Sequence, residues 1–136
     1  MDACAREHLR WGWVVVFAFV ALGVALEAMH AFKVGLYLDA DHATRRLMWR
    51  LAHAHGTLLG VLNLALAVTV TRLRMTASAR RTASMSLRGA TLLMPAGFFL
   101  GGVWLYGGDP GLGVLLVPVG GVLLVVATAL CARAAW

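Results

Sequence analysis

The stretch WGWVVVFAFVALGVAL, Trp11–Leu26, carries no charge and decides the fold. Glu27-Ala28-Met29-His30 follows it directly. Working outward, three more apolar runs can be drawn. The second covers about residues 48–71, and its helix is expected to start earlier, near Thr44. The third covers about 89–106 and the fourth about 112–132. Each is close to the roughly 20 residues that cross a hydrocarbon core of about 30 Å. In lipid the backbone must satisfy its own hydrogen bonds, so runs of this length are helices. The chain is therefore read as a single all-α domain over 1–136. It is an integral membrane four-helix bundle with spans near 11–29, 48–71, 89–106 and 112–132.

Composition agrees. Of 136 residues, 61% are hydrophobic and 13% are charged, against roughly 25% charged in an average soluble domain. Mean hydropathy is +0.81. A soluble domain of this size leaves too much surface in water to hide that apolar content. Soluble enzymes, disordered regulators and disulfide scaffolds are thereby excluded. Cys4 and Cys131 lie at opposite ends of the chain and form no metal-binding motif. No cleavable signal peptide is expected, because the first apolar run extends too far.

Positive charge sets the expected orientation. With four spans, one side holds Arg6, Arg10, Arg72, Arg74, Arg80, Arg81, Arg88 and Arg133. The other holds Lys33, Arg45, Arg46 and Arg50, diluted by Asp39, Asp41 and Asp109. Eight against four places both termini in the cytoplasm of a bacterial-type inner membrane. The connection Arg72–Arg88 reads as a topology anchor on anionic lipid. Nothing aromatic interleaves its arginines, so nucleic acid is not an expected partner. The bilayer is the expected partner, with further copies or a larger membrane complex beside it. Trp11, Trp13 and Trp136 fall at one interface; Tyr37, Trp49, Trp104 and Tyr106 fall at the other.

Two prolines, Pro95 and Pro118, are expected to kink the third and fourth helices. Gly97 and Gly101 form a G-x-x-x-G pair, as do Gly56 and Gly60, and both pairs suit close helix packing.

Polar residues within a membrane region are functional candidates by default. Here they gather in the first two helices and their connection: Glu27, His30, Lys33, Asp39, Asp41, His42, Arg45, Arg46, Arg50, His53, His55 and Asn63. At about 100° per residue Gly23, Glu27 and His30 share one helix face. On the second helix His42, Trp49, His53, Gly56, Gly60 and Asn63 share a broad face, and His55 points elsewhere. The two faces are expected to meet, with the glycines letting the backbones approach. If the second helix starts at Thr44, His53 lies about 13 Å below its start, level with Glu27 and His30. Asp41 is the expected N-cap of that helix.

Three chemistries fit this set. Glu27, His30 and His53 could ligate a mononuclear transition metal, since two histidines and a carboxylate leave open positions. His30 and His53, or one of them with His55, could clamp a b-type haem. Glu27 and His53 could act as acid and base on a lipid-soluble substrate. His55, Asn63, Trp49 and Arg50 would complete a ligand-binding surface.

His53-Ala54-His55-Gly56-Thr57-Leu58-Leu59-Gly60 resembles the H-x-x-G-x-x-x-G pattern of the hydroxylaminobenzene mutase family. That resemblance implies a small four-helix membrane protein and an isomerase activity. Met29–Gly60 also looks like small bacterial membrane proteins with an H-x-H-G helix. Two classes of function stand at this point. One is a membrane protein binding a metal, haem or small apolar ligand for redox or isomerase chemistry. The other is a non-catalytic subunit packed into a larger membrane complex.

Overall fold

A computed structural model describes residues 2–136. Helix α1 spans Ala3–Ala31. Its N-cap is Asp2, whose side chain accepts from the Ala5 amide at 2.7 Å, satisfying one of the four free donors of a helix start. At the other end Lys33 sits in the left-handed region with φ 53°. The Val34 amide donates to the Met29 carbonyl and the Lys33 amide to the His30 carbonyl. These are the paired bonds of a Schellman ending, made with a lysine where glycine is usual.

A short helix α2, Gly35–Leu38, and a 3₁₀ turn, Ala40–His42, lead into α3, Ala43–Thr69. The start of α3 thus falls one residue from its expected position. Asp41 lies inside the 3₁₀ turn, and no side chain caps α3. The turn feeds the helix directly, so the expected aspartate cap is not used.

Helix α4 spans Ala77–Val103. The segment read as a connection up to Arg88 is therefore mostly helix. Thr76 caps it by accepting from the Ala79 amide at 3.2 Å, and alanines at 77, 79 and 83 favour the helical state. At the far end Trp104 leaves the helix, and Leu105–Tyr106 pair antiparallel with Asp109–Pro110. Gly107 and Gly108 turn that hairpin with φ of +59° and +93°, values that favour glycine. A 3₁₀ turn, Leu112–Leu115, precedes α5, Leu116–Ala134. Pro118 falls in the first turn of α5, directly after the 3₁₀ turn, where the fixed φ of proline is tolerated. Pro95 lies inside α4 as expected.

The long helices pack in a row: α1 on α3, α3 on α4, α4 on α5. The core joins Leu59, Leu66 and Val70 of α3 and its end to Leu87 and Met94 of α4, with Ala5 and Ala127 from the flanking helices. The stretches Ala3–Ala31, Ala40–Thr69 and Leu112–Ala134 are long and apolar enough to cross a membrane, each containing an 18-residue window whose mean hydropathy is 2.1, 1.5 and 2.6 respectively. The polar first half of α4, with Arg80, Arg81 and Arg88, keeps that helix out of the group.

The glycine seam between α1 and α3 forms as expected. A Cβ added at Gly60 would stand 2.8 Å from Val16 Cγ2 and 3.0 Å from the Val16 amide nitrogen. Gly56 lies against the Phe19 ring, and Gly23 lies against the His53 ring. On the other side of the row, Gly97 and Gly101 meet Val117 and Val114.

Candidate functional site

The seam brings part of the sequence-derived site together. Glu27, Arg50 and His53 line one open groove between α1 and α3, with a volume of about 770 Å³. His53 Nδ1 is 2.6 Å from the Phe19 carbonyl oxygen. A carbonyl only accepts, so Nδ1 carries the proton and Nε2 is left for another partner. His30 is exposed and is not among the residues lining this groove. Among the described residues no group of three or more His, Cys, Asp or Glu is placed to hold a metal ion. The set Glu27, His30 and His53 is thus divided between the groove and the surface beyond it.

The remaining ligand-binding candidates have structural partners. His55 Nδ1 bonds the Leu51 carbonyl one turn back at 2.9 Å, and its ring tilts against Phe98 at 4.7 Å. Trp49 stacks between Tyr37 and Phe99, and its Nε1 donates to the Phe99 carbonyl at 3.2 Å. Arg45 places its guanidinium over the Trp49 ring and donates through Nε to the Gly102 carbonyl at 2.9 Å and through Nη2 to the Val103 carbonyl at 3.4 Å. The start of α3 thereby satisfies the last carbonyls of α4, and a positive charge sits where the helix dipole favours one.

Asn63 leads to a second polar centre, deeper than the first. Asn63 and His8 are both wholly buried. Asn63 Oδ1 is 2.7 Å from His8 Nδ1, and His8 Nε2 is 2.8 Å from Ser84 Oγ. The Asn63 amide nitrogen donates to the Leu59 carbonyl at 2.8 Å and to Thr91 Oγ1 at 2.9 Å. Thr91 in turn donates to the Leu87 carbonyl at 2.7 Å. One chain of hydrogen bonds ties α1, α3 and α4. Sequence reading assigned Asn63 to a ligand site and passed over His8, which precedes the first apolar run among Arg6, Glu7 and Arg10. The usable signal was the Asp2 cap. It extends the helix backward and sets His8 on the face of Ala5, Gly12 and Val15, all buried.

Beside this centre a trough follows α1 and the first half of α4. Its two overlapping hollows measure about 560 and 690 Å³. Arg6, Arg10 and Trp11 line it from α1; Arg80, Arg81, Ser84 and Arg88 line it from α4. Met85 and Leu92 supply apolar surface. Arg80 pairs with Asp2 at 2.8 Å, and Arg88 pairs with Glu7. Five arginines against these two carboxylates leave three positive charges in excess. Trp11 Nε1 and Arg80 Nε are sealed beneath this surface and have no hydrogen-bond partner among the described residues.

Comparison with protein-family models, with curated proteins and with solved structures gives no match.

Proposed function

We propose that this chain is a four-helix protein of a bacterial-type plasma membrane, with both termini cytoplasmic, that binds an anionic amphiphile of the inner leaflet in the arginine trough. The observation that carries this is the clustering of five arginines, only two of them paired to carboxylates, along one trough that also presents apolar surface. A phospholipid headgroup supplies negative charge and acceptor oxygens for the arginines that line the trough. Its acyl chains match the apolar surface of Met85 and Leu92. Arginine suits such a group because its planar fork bonds two phosphate oxygens at once. Orientation follows the eight-to-four charge count, which puts the trough at the cytoplasmic interface.

The test is retention of phosphatidylglycerol against phosphatidylcholine by the purified protein, read by native mass spectrometry. Phosphatidylglycerol should be held in preference. Each arginine near an anionic surface contributes about 1 kcal/mol, or about fivefold. The double variant Arg80→Gln, Arg81→Gln should therefore lose about 30-fold in preference. Equal retention of the two lipids by the native chain would refute the reading.

A second reading rests on the Glu27–Arg50–His53 groove, where His53 Nε2 is left unbonded by the Phe19 contact. We infer a small-ligand site there, with His53 as the acid–base group, in line with the isomerase activity that the mutase resemblance implies. Protection of His53 from diethyl pyrocarbonate by an apolar hydroxylamine would support it; unchanged modification would not.

A further inference from the structure

We propose that Ser84 is a nucleophile, activated by His8 and oriented through Asn63, and that the trough is the site of an esterase acting on an anionic acyl amphiphile. The proposal rests on the lipid-binding reading of the trough.

Tautomer logic comes first. The Asn63 amide nitrogen faces the Leu59 carbonyl, an obligate acceptor, and the Thr91 hydroxyl, which spends its own proton on the Leu87 carbonyl. Oδ1 therefore faces His8, and His8 Nδ1 must donate to it. In the neutral imidazole that leaves the Nε2 lone pair facing Ser84 Oγ at 2.8 Å. Hydroxyl, imidazole and amide stand in the order nucleophile, base and orienting group. An asparagine holds the ring without adding charge, so the relay is weaker than one ending in a carboxylate.

Access separates this from a purely structural network. His8 and Asn63 are sealed, but Ser84 keeps 7% of its surface and lines the trough. Arg80, Arg81 and Arg88 line the same hollow, so an oxyanion formed there develops among positive charges. Ser84 stands one helical turn after Arg80 and one turn before Arg88 on α4, so an ester whose headgroup these arginines hold lies beside it.

The reaction balances with an ester and water. Ser84 Oγ attacks the acyl carbon, and its proton passes to His8 Nε2. The tetrahedral species collapses as the alkoxide leaves with that proton. Water then attacks the acyl-serine, again giving a proton to Nε2. That proton returns to Ser84 as the carboxylic acid departs.

The full chain in phosphatidylglycerol nanodiscs would be treated with a fluorophosphonate probe and the adduct located by peptide mass spectrometry. Fatty-acid release would be followed in parallel. We expect an adduct on Ser84, and loss of both signals in Ser84→Ala. In His8→Gln both should fall by at least about 100-fold, the usual lower bound for removing a general base. The labelling rate of the native chain should drop as acid protonates Nε2, an effect a structural hydrogen bond would not produce. Because His8→Gln can unfold so buried a site, Ser84→Cys supplies a second measure. Its reaction with a small thiol reagent should be faster than that of Cys4 or Cys131. No adduct at Ser84 in chains that retain phosphatidylglycerol overturns the esterase and leaves the lipid site standing. A Ser84 adduct without lipid preference supports the nucleophile and overturns the trough as its binding site.

Discussion

Replacing Asn63 by leucine tests the buried centre most directly. The side chains are close in size, so the change is chiefly a loss of hydrogen bonds. Two cross between helices, to His8 at 2.7 Å and to Thr91 at 2.9 Å. Such bonds in membrane bundles average about 0.6 kcal/mol, so the pair contributes about 1.2 kcal/mol. A larger cost falls on His8, which is wholly buried and keeps an Nδ1 proton with no acceptor. An orphaned buried donor costs about 1–3 kcal/mol. Asn63→Leu should therefore destabilise the fold by about 2–4 kcal/mol. His8→Leu should cost a similar amount, since it orphans Asn63 Oδ1. The double variant removes both orphans, and the freed Ser84 hydroxyl can turn to the carbonyl one turn back. It should recover about 1–2 kcal/mol relative to the sum of the singles. Unfolding in mixed dodecyl sulfate micelles, followed by far-UV circular dichroism, measures all three. If the singles add within about 0.5 kcal/mol, His8 and Asn63 do not share the bond on which the site is built.

Three further outcomes follow from other parts of the chain. A reporter fused after Trp136 should read cytoplasmic and one inserted at Asp109 should read outside; the reverse pattern would invert the membrane assignment of the trough. Gly60→Leu should lower stability by about 1–3 kcal/mol, as for an overpacked core, because even its Cβ would stand 3.0 Å from the Val16 backbone nitrogen; unchanged thermal stability in detergent would remove the seam. Lys33→Gly should raise stability by about 1 kcal/mol, relieving a left-handed residue of its Cβ strain; a loss measured in the same micelle assay would show that the lysine side chain matters more than its backbone.

What could be read beforehand follows the physics of each signal. Apolar runs located α1, α3 and α5 because length and hydropathy are properties of the chain itself. The G-x-x-x-G spacing and the 100° rule placed Gly23, Gly56 and Gly60 on the seam, since helix geometry alone decides which residues share a face. The start of α4 stayed hidden because hydropathy is silent about a helix whose first turns are polar; only the Thr76 cap and the alanines marked it. His8 was hidden for a related reason. Its importance depends on Asn63, fifty-five residues away, and on Ser84, seventy-six residues away. No local window contains all three. His30 shows the opposite limit. Its face was read from helical spacing, but the fold lines the groove with Arg50 and His53 instead.

The junction between Arg45 and the end of α4 bears on how the chain assembles. Arg45 donates to carbonyls of two different places: Leu36, nine residues before it, and Gly102 and Val103, more than fifty residues after it. As the ribosome delivers the chain, the first contact is available early and the other two are not. Within the α1–α3 pair this guanidinium can reach only the Leu36 carbonyl, and its other two bonds exist only where the last turn of α4 packs against the start of α3. Arg45 is thus a latch between segments far apart in the chain, complete only when the third long helix is in place.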